Sequence, residues 1–134
     1  MTTMQFNFRD YRSMYDNTPV FYPGDRVAGQ VVIVPDQAVS CRNIRVDVGW
    51  YTQGKGDRDR EIIYQYIIDV QRLEPGVPVS QQFAADIPTM PYTFSGHLIN
   101  IIWAVQVTVD IAMRGDINGS GLFIVRPPQK HGID

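Results

Sequence analysis

Cysteine occurs once in this chain of 134 residues, at Cys41, and histidine only twice, at His97 and His131. A single thiol excludes an internal disulfide and a cysteine-based zinc cluster, and it points to a reducing, cytoplasmic setting. Two histidines fall short of the ligand set of a zinc site, so neither a metal nor any other cofactor is expected. Helix formers are almost as scarce, with three leucines, two lysines and two glutamates. No stretch approaches the ~18 consecutive apolar residues of a membrane span, and the opening residues lack a basic segment followed by an apolar one. Neither a membrane span nor an export signal is therefore expected. Twelve basic and fourteen acidic residues, mixed along the chain, give a net charge of −2 and no basic patch for nucleic acid.

What is abundant is strand-forming. The chain holds 36 β-branched residues (15 valines, 14 isoleucines and seven threonines), and such residues favour strands over helices. Hydrophobic residues make up 44% and charged ones 19%, which is enough apolar content to fold. The length suits one domain with a sizeable core and is too short for two. The reading is one domain over 1–134, with its core at about 4–126 and a polar tail at 127–134.

Period-two alternation is clearest from Asn43 to Tyr51, where Ile44, Val46, Val48 and Trp50 share one face. The longest such run, His97 to Ile111, puts Ile99, Ile101, Trp103, Val105, Val107, Val109 and Ile111 inward. Both tryptophans are in phase with aliphatic neighbours and are expected in the core. From Ile62 to Val70 one face carries Ile62, Tyr64, Tyr66, Ile68 and Val70. Between the first and third of these runs, the glycine-bearing, charged segment Gln53–Glu61 reads as a hairpin loop. Shorter strands are expected at Gln5–Phe8, Arg26–Val34, Val77–Ile87 and Leu122–Arg126. Turn signals fall at Pro23-Gly24-Asp25, Pro35-Asp36, Pro75-Gly76, Pro88–Pro91, Gly115-Asp116 and Asn118-Gly119. Met113–Ile117 has room for one helical turn at most. With no heptads and no long repeat, the fold class is all-β: an immunoglobulin-like antiparallel sandwich of about seven strands.

The order of the turn residues carries a resemblance. Phe21-Tyr22-Pro23-Gly24-Asp25 runs into Val27, Gly29 and Val31; Ile44–Gly49 runs into a charged hairpin. Phe83–Ile87 then leads through Pro88, Pro91, Tyr92, Ser95 and Gly96 to Ile101-Ile102-Trp103-Ala104-Val105. This pattern resembles the N-terminal β-sandwich of the arrestin-like superfamily, which includes retromer-subunit and sporulation-control types. The resemblance implies an arrestin-like sandwich and a protein-binding, scaffold or adaptor role without catalysis, with Pro23, Gly24, Gly29, Pro88, Pro91 and Gly96 as structural turn positions. Members of the superfamily carry two such sandwiches in tandem, and here there is one, so a homodimer standing in for the second is a further expectation. Receptor arrestins sense phosphate with early lysines; Met4–Arg12 offers only Arg9 and Arg12, so phosphoreceptor binding is not implied.

Catalytic patterns are thin. Ser95 and His97 are two apart without an orienting third group, and Cys41 has no partner nearby in sequence. Gly54-Lys55-Gly56-Asp57 lacks the spacing of a phosphate loop and a following helix. Asp47, Asp57, Asp59 and Glu61 match no EF-hand pattern, and Arg58 and Arg60 are interleaved with them. The expected function is therefore non-catalytic, an unidentified protein partner being bound through a sheet edge or through loops around Tyr51, Lys55, Asp57, Arg58, Tyr92 and Phe94. Two other classes compete: a small-ligand or carbohydrate-binding sandwich that stacks a sugar on Tyr51, Tyr92 or Phe94, and an enzyme working through Ser95 and His97. The period argument yields a stability test by chemical denaturation. Val105→Asp places an unpaired charge between the sheets and costs several kcal/mol, whereas Arg58→Ala in a solvated loop changes stability by less than about 0.5 kcal/mol.

Overall fold

A computed structural model describes residues 1–56 and 58–128; Asp57 and the tail from Gln129 onward, His131 included, lie outside the described residues. Among the described residues all regular structure is strand: β1 (Thr3–Arg9), β2 (Ser13–Tyr15), β3 (Thr18–Phe21), β4 (Arg26–Val34), β5 (Val39–Ser40), β6 (Asn43–Gly54), β7 (Arg60–Ile68), β8 (Arg72–Leu73), β9 (Val79–Asp86), β10 (Phe94–Ser95), β11 (Ile99–Asp110) and β12 (Ile117–Val125). Seven of them have seven or more residues, and each overlaps one of the seven expected runs, although β12 begins five residues before the expected Leu122–Arg126. A narrow sheet, β1-β4-β9, packs on a wide one, β2-β3-β12-β11-β6-β7, with β10 added beside β11. β5 and β8 form a separate short ladder.

Alternation works as the period demands along β6 and β11. Val105 lies opposite Val48, Val107 opposite Val46 and Val109 opposite Ile44, and all six are buried. The narrow sheet answers with Val27, Val31, Ile33 and Phe83. At one end five aromatic rings join the sheets. Phe8 lies 5.6 Å from Phe83 and 5.8 Å from Phe123, and Phe123 lies 5.7 Å from both Phe21 and Trp103.

Four expectations need correction. The sandwich is not wholly antiparallel, because β12 runs parallel to β3: the chain leaves β3 through the Pro23-Gly24 turn into the other sheet, so the pair is not joined by a hairpin. A bulge opposite Val48 and Gly49 breaks the face expected along β7. Ile63 is the extra residue, so Ile62 turns outward opposite Gly49 while Tyr66 and Ile68 still pack on the core. Trp50 is only partly buried, unlike Trp103. Met113–Ile117, given room for one helical turn at most, stays within that bound and holds none: Met113 adopts φ 65° in the loop, and β12 already begins at Ile117.

Asn118-Gly119 is not a turn but the start of close sheet-to-sheet packing. A β-carbon on Gly121 would fall 2.5 Å from Cγ of Phe6, and one on Gly119 would fall on the thioether sulfur of Met4. Both glycines face inward and let β1 settle onto β12. The β2–β3 hairpin was not anticipated at all: Asp16 and Asn17 turn it with φ of 51° and 60°, a left-handed pair that these two residue types tolerate.

These contacts rank two substitutions. Gly121→Ala must displace the root of the Phe6 ring and is expected to lower unfolding free energy by about 1–3 kcal/mol. Gly119→Ala meets only the flexible end of Met4 and loses less, both read from denaturant midpoints at unchanged slope.

Candidate functional site

The Pro23-Gly24 turn is locked from several sides. Asp25 N donates to Tyr22 O (2.9 Å), and the Asp25 carboxylate accepts from Tyr22 N (3.0 Å) and from Arg12 (2.7 Å). Pro23 presets φ and Gly24 supplies the positive φ of 88° that the turn requires. The turn is tied to the Pro88 segment, since Gly24 N donates to Ile87 O and Ile87 N donates to Asp25 O, each at 2.9 Å. Beyond the cis Met90–Pro91 peptide, Pro91 O accepts from Trp103 Nε1 at 3.0 Å, and Thr93 exchanges hydrogen bonds with Val125. Pro23, Gly24, Pro88 and Pro91 thus hold one end of the sandwich together. Gly29 lies in mid-strand, where a β-carbon would run into Asn7 O and meet the Phe83 ring at 2.8 Å. Gly96 starts the entry to β11, its N–H facing Ile99 O (3.1 Å).

The candidate contact residues are only partly gathered. Lys55 and Phe94 belong to neighbouring segments, because Lys55 N donates to Leu98 O (2.9 Å) and β10 pairs with β11. Phe94 and Leu98 are more than half exposed there, and Arg58 is exposed on the hairpin. Tyr92 is instead partly buried against the core. Tyr51 lies on the outer face of the wide sheet, lining a hollow with Arg58. Ser95 and His97 are both exposed, and no hydrogen bond joins them among the described residues. Asp47 is engaged by Gln65 at 2.7 Å. Cys41 is buried and donates to Val70 O; burial, with a smaller effect from Asp110, pushes its thiol up from its ordinary value.

The two edges of the narrow sheet differ, which the sequence reading missed. On β9, the Tyr66 hydroxyl accepts from Ala84 N and donates to Ala84 O, both at 3.0 Å, so a side chain of β7 occupies that edge. The inward phase of Tyr66 with a polar tip was the available signal, because a buried phenol needs a partner. Among the described residues, β1 carries no neighbour on its outer side. Ala84 points its amide and carbonyl away from β4, and alternate residues point opposite ways. Through the registers of β4, this aims the backbone groups of Met4, Phe6 and Phe8 at the open edge. Beside that edge runs a groove of about 390 Å³ lined by Phe6, Phe8, Tyr11, Met14 and Leu122, among others.

No family model and no curated protein matches the chain. Among solved structures it is similar to Spo0M, the sporulation control protein from Bacillus subtilis, with 18% sequence identity and a TM-score of 0.63. The match covers 92% of this chain and 49% of that one, so the chain spans about half the length of this neighbour. The fold is the arrestin-like β-sandwich. Among the described residues, no helix is long and apolar enough to cross a membrane.

Tyr66→Phe isolates the capped edge. It keeps the ring packing and removes both bonds to Ala84, with an expected loss of about 1 kcal/mol by chemical denaturation and faster amide exchange at Ala84.

Proposed function

We propose that this chain is a non-catalytic protein-interaction or scaffold module of arrestin-like type that binds an extended protein segment as an added strand on β1. The open β1 edge carries this reading. It offers backbone donors and acceptors along seven residues, the polar half of what strand addition uses. The adjoining groove supplies the apolar half, through Tyr11, Met14 and Leu122. Edges left open invite pairing, and here one edge is covered by Tyr66 while the other is not. The reading also takes the chain to be one sandwich over 1–134 acting in the cytoplasm, where the buried thiol of Cys41 stays reduced. The fold neighbour is a sporulation control protein, and control by contact fits a sandwich whose open features are an edge and grooves.

Amide hydrogen exchange on the chain, alone and with a partner captured from native extract, tests this. The expected result is new protection at Met4, Phe6 and Phe8, whose N–H groups point to the unpaired edge of β1. Protection confined to Lys55, Phe94 and Leu98 would instead place binding at the loop end and remove strand addition. If the chain protects the same β1 amides as its own concentration rises, with a dimer seen by light scattering, the bound strand comes from a second copy.

A further inference from the structure

The outer face of the wide sheet carries a second built feature, unrelated to the β1 edge. Gln65, Asp47, Gln106 and Ser120 lie in one register row across β7, β6, β11 and β12. One step further along the strands, Gly49 pairs with Ala104, which leaves a low floor. Tyr51 and Arg60, opposite each other, rise beyond it. The result is two adjoining hollows of about 260 and about 190 Å³ that share Arg60 and Gln106. Together they fall in the lower part of the ~300–1,000 Å³ range of small-ligand sites.

Asp47 decides what the groove suits. It is one of two buried polar residues of the described chain, 5% exposed, although it sits on the solvent side of the sheet. One carboxylate oxygen accepts from Gln65 Nε2 at 2.7 Å, while the other has only Arg60 Nη2 at 4.0 Å, beyond hydrogen-bond reach. That oxygen is not sealed from solvent, because the buried side-chain polar atom left without a partner among the described residues is Oδ1 of Asn43; the Asp47 oxygen is thus open to accept a hydrogen bond from the outer side of the sheet. The oxygen faces a hollow whose rim adds the amides of Gln106 and Asn118 and the hydroxyl of Ser120. Charge argues against an ionic ligand: Arg58 and Arg60 are balanced by Asp59 and Asp47 along the same groove.

We propose that this groove binds a neutral saccharide. A ring hydroxyl donates to the free oxygen of Asp47, Gln106 and Asn118 exchange hydrogen bonds with neighbouring hydroxyls, and the apolar face of a sugar ring rests on Tyr51. The carboxylate supplies charge-assisted acceptance, the amides supply both donors and acceptors, and the ring supplies the stacking surface. This site goes beyond the protein-interaction reading and does not depend on it.

Titration of the full chain, followed by backbone amide NMR, tests the proposal with maltotetraose, cellotetraose, mannotetraose and chitotetraose, and with inorganic phosphate and spermidine as charged probes. At least one neutral sugar is expected to give saturable shifts confined to residues 47–51, 104–106 and 118–120, with none at Met4, Phe6 or Phe8. Asp47→Asn and Tyr51→Ala, checked by circular dichroism for an intact fold, each weaken that binding by about tenfold or more. Absence of saturable shifts with all four sugars, saturation by phosphate or spermidine instead, or equal affinity in both variants and the parent would overturn it.

Discussion

The five-ring contact between the sheets sets the geometry on which the rest of the molecule depends. Phe8, packed against Phe83 within the narrow sheet, reaches across to Phe21 and Phe123 of the wide one, and Phe123 in turn packs on Phe21 and Trp103, in tilted and edge-on arrangements. Such pairs contribute ~0.5–1.5 kcal/mol each beyond burial. The rings need space, and glycines supply it: without a side chain at Gly29, Phe83 can lie over β4, and without one at Gly121, Phe6 follows Phe8 down onto β12. Trp103 transmits the arrangement outward, because its indole N–H holds Pro91 O and fixes the segment that closes this end. Packing, turn and strap are therefore one construction.

That construction also decides which backbone remains open. The inward side chains of β1 are spent on packing over β12, so its face is fixed while its outer edge stays unpaired. On the opposite side, the wide sheet extends far enough for Tyr66 of β7 to reach the β9 edge, and its hydroxyl satisfies both backbone groups of Ala84. A narrow sheet on a wider one thus has one edge overhung and one edge free. The asymmetry follows from strand number and needs no special loop.

Much of the fold was legible in the sequence, because period-two alternation reports burial directly. β4 matches the expected Arg26–Val34 end to end, and β6 and β11 bury the valines that share a face. The misses have a common physical origin: they occur where a backbone event, not a side-chain pattern, controls the outcome. The bulge at Ile63 shifts phase without changing composition. The glycines of β12 look like turn residues until the other sheet is seen to need their volume. Pro19 hid β3, yet it lies just before the parallel pairing of Val20 and Phe21 with β12 begins. The candidate site was less legible. Tyr51 and Arg58 were named as loop contacts, but the residue that gives their groove its chemistry, Asp47, is a mid-strand residue whose partners, Gln65 and Arg60, come from the neighbouring strand β7.

The same alternation separates what maintains the fold from what is free to carry function. Along β6, Ile44, Val46 and Val48 face the core, and the residues between them face outward. A change at Val46 alters the packing of both sheets, whereas a change at Asp47 alters only the outer surface and its immediate partners, Gln65 and Arg60. Two chains can therefore share this sandwich at 18% identity. The likeness in fold constrains the inward set and says nothing about the outward one. A ligand for the groove has to be argued from its own residues: a carboxylate oxygen without a donor, amides and a hydroxyl lining the same hollow, balanced charge and one aromatic ring.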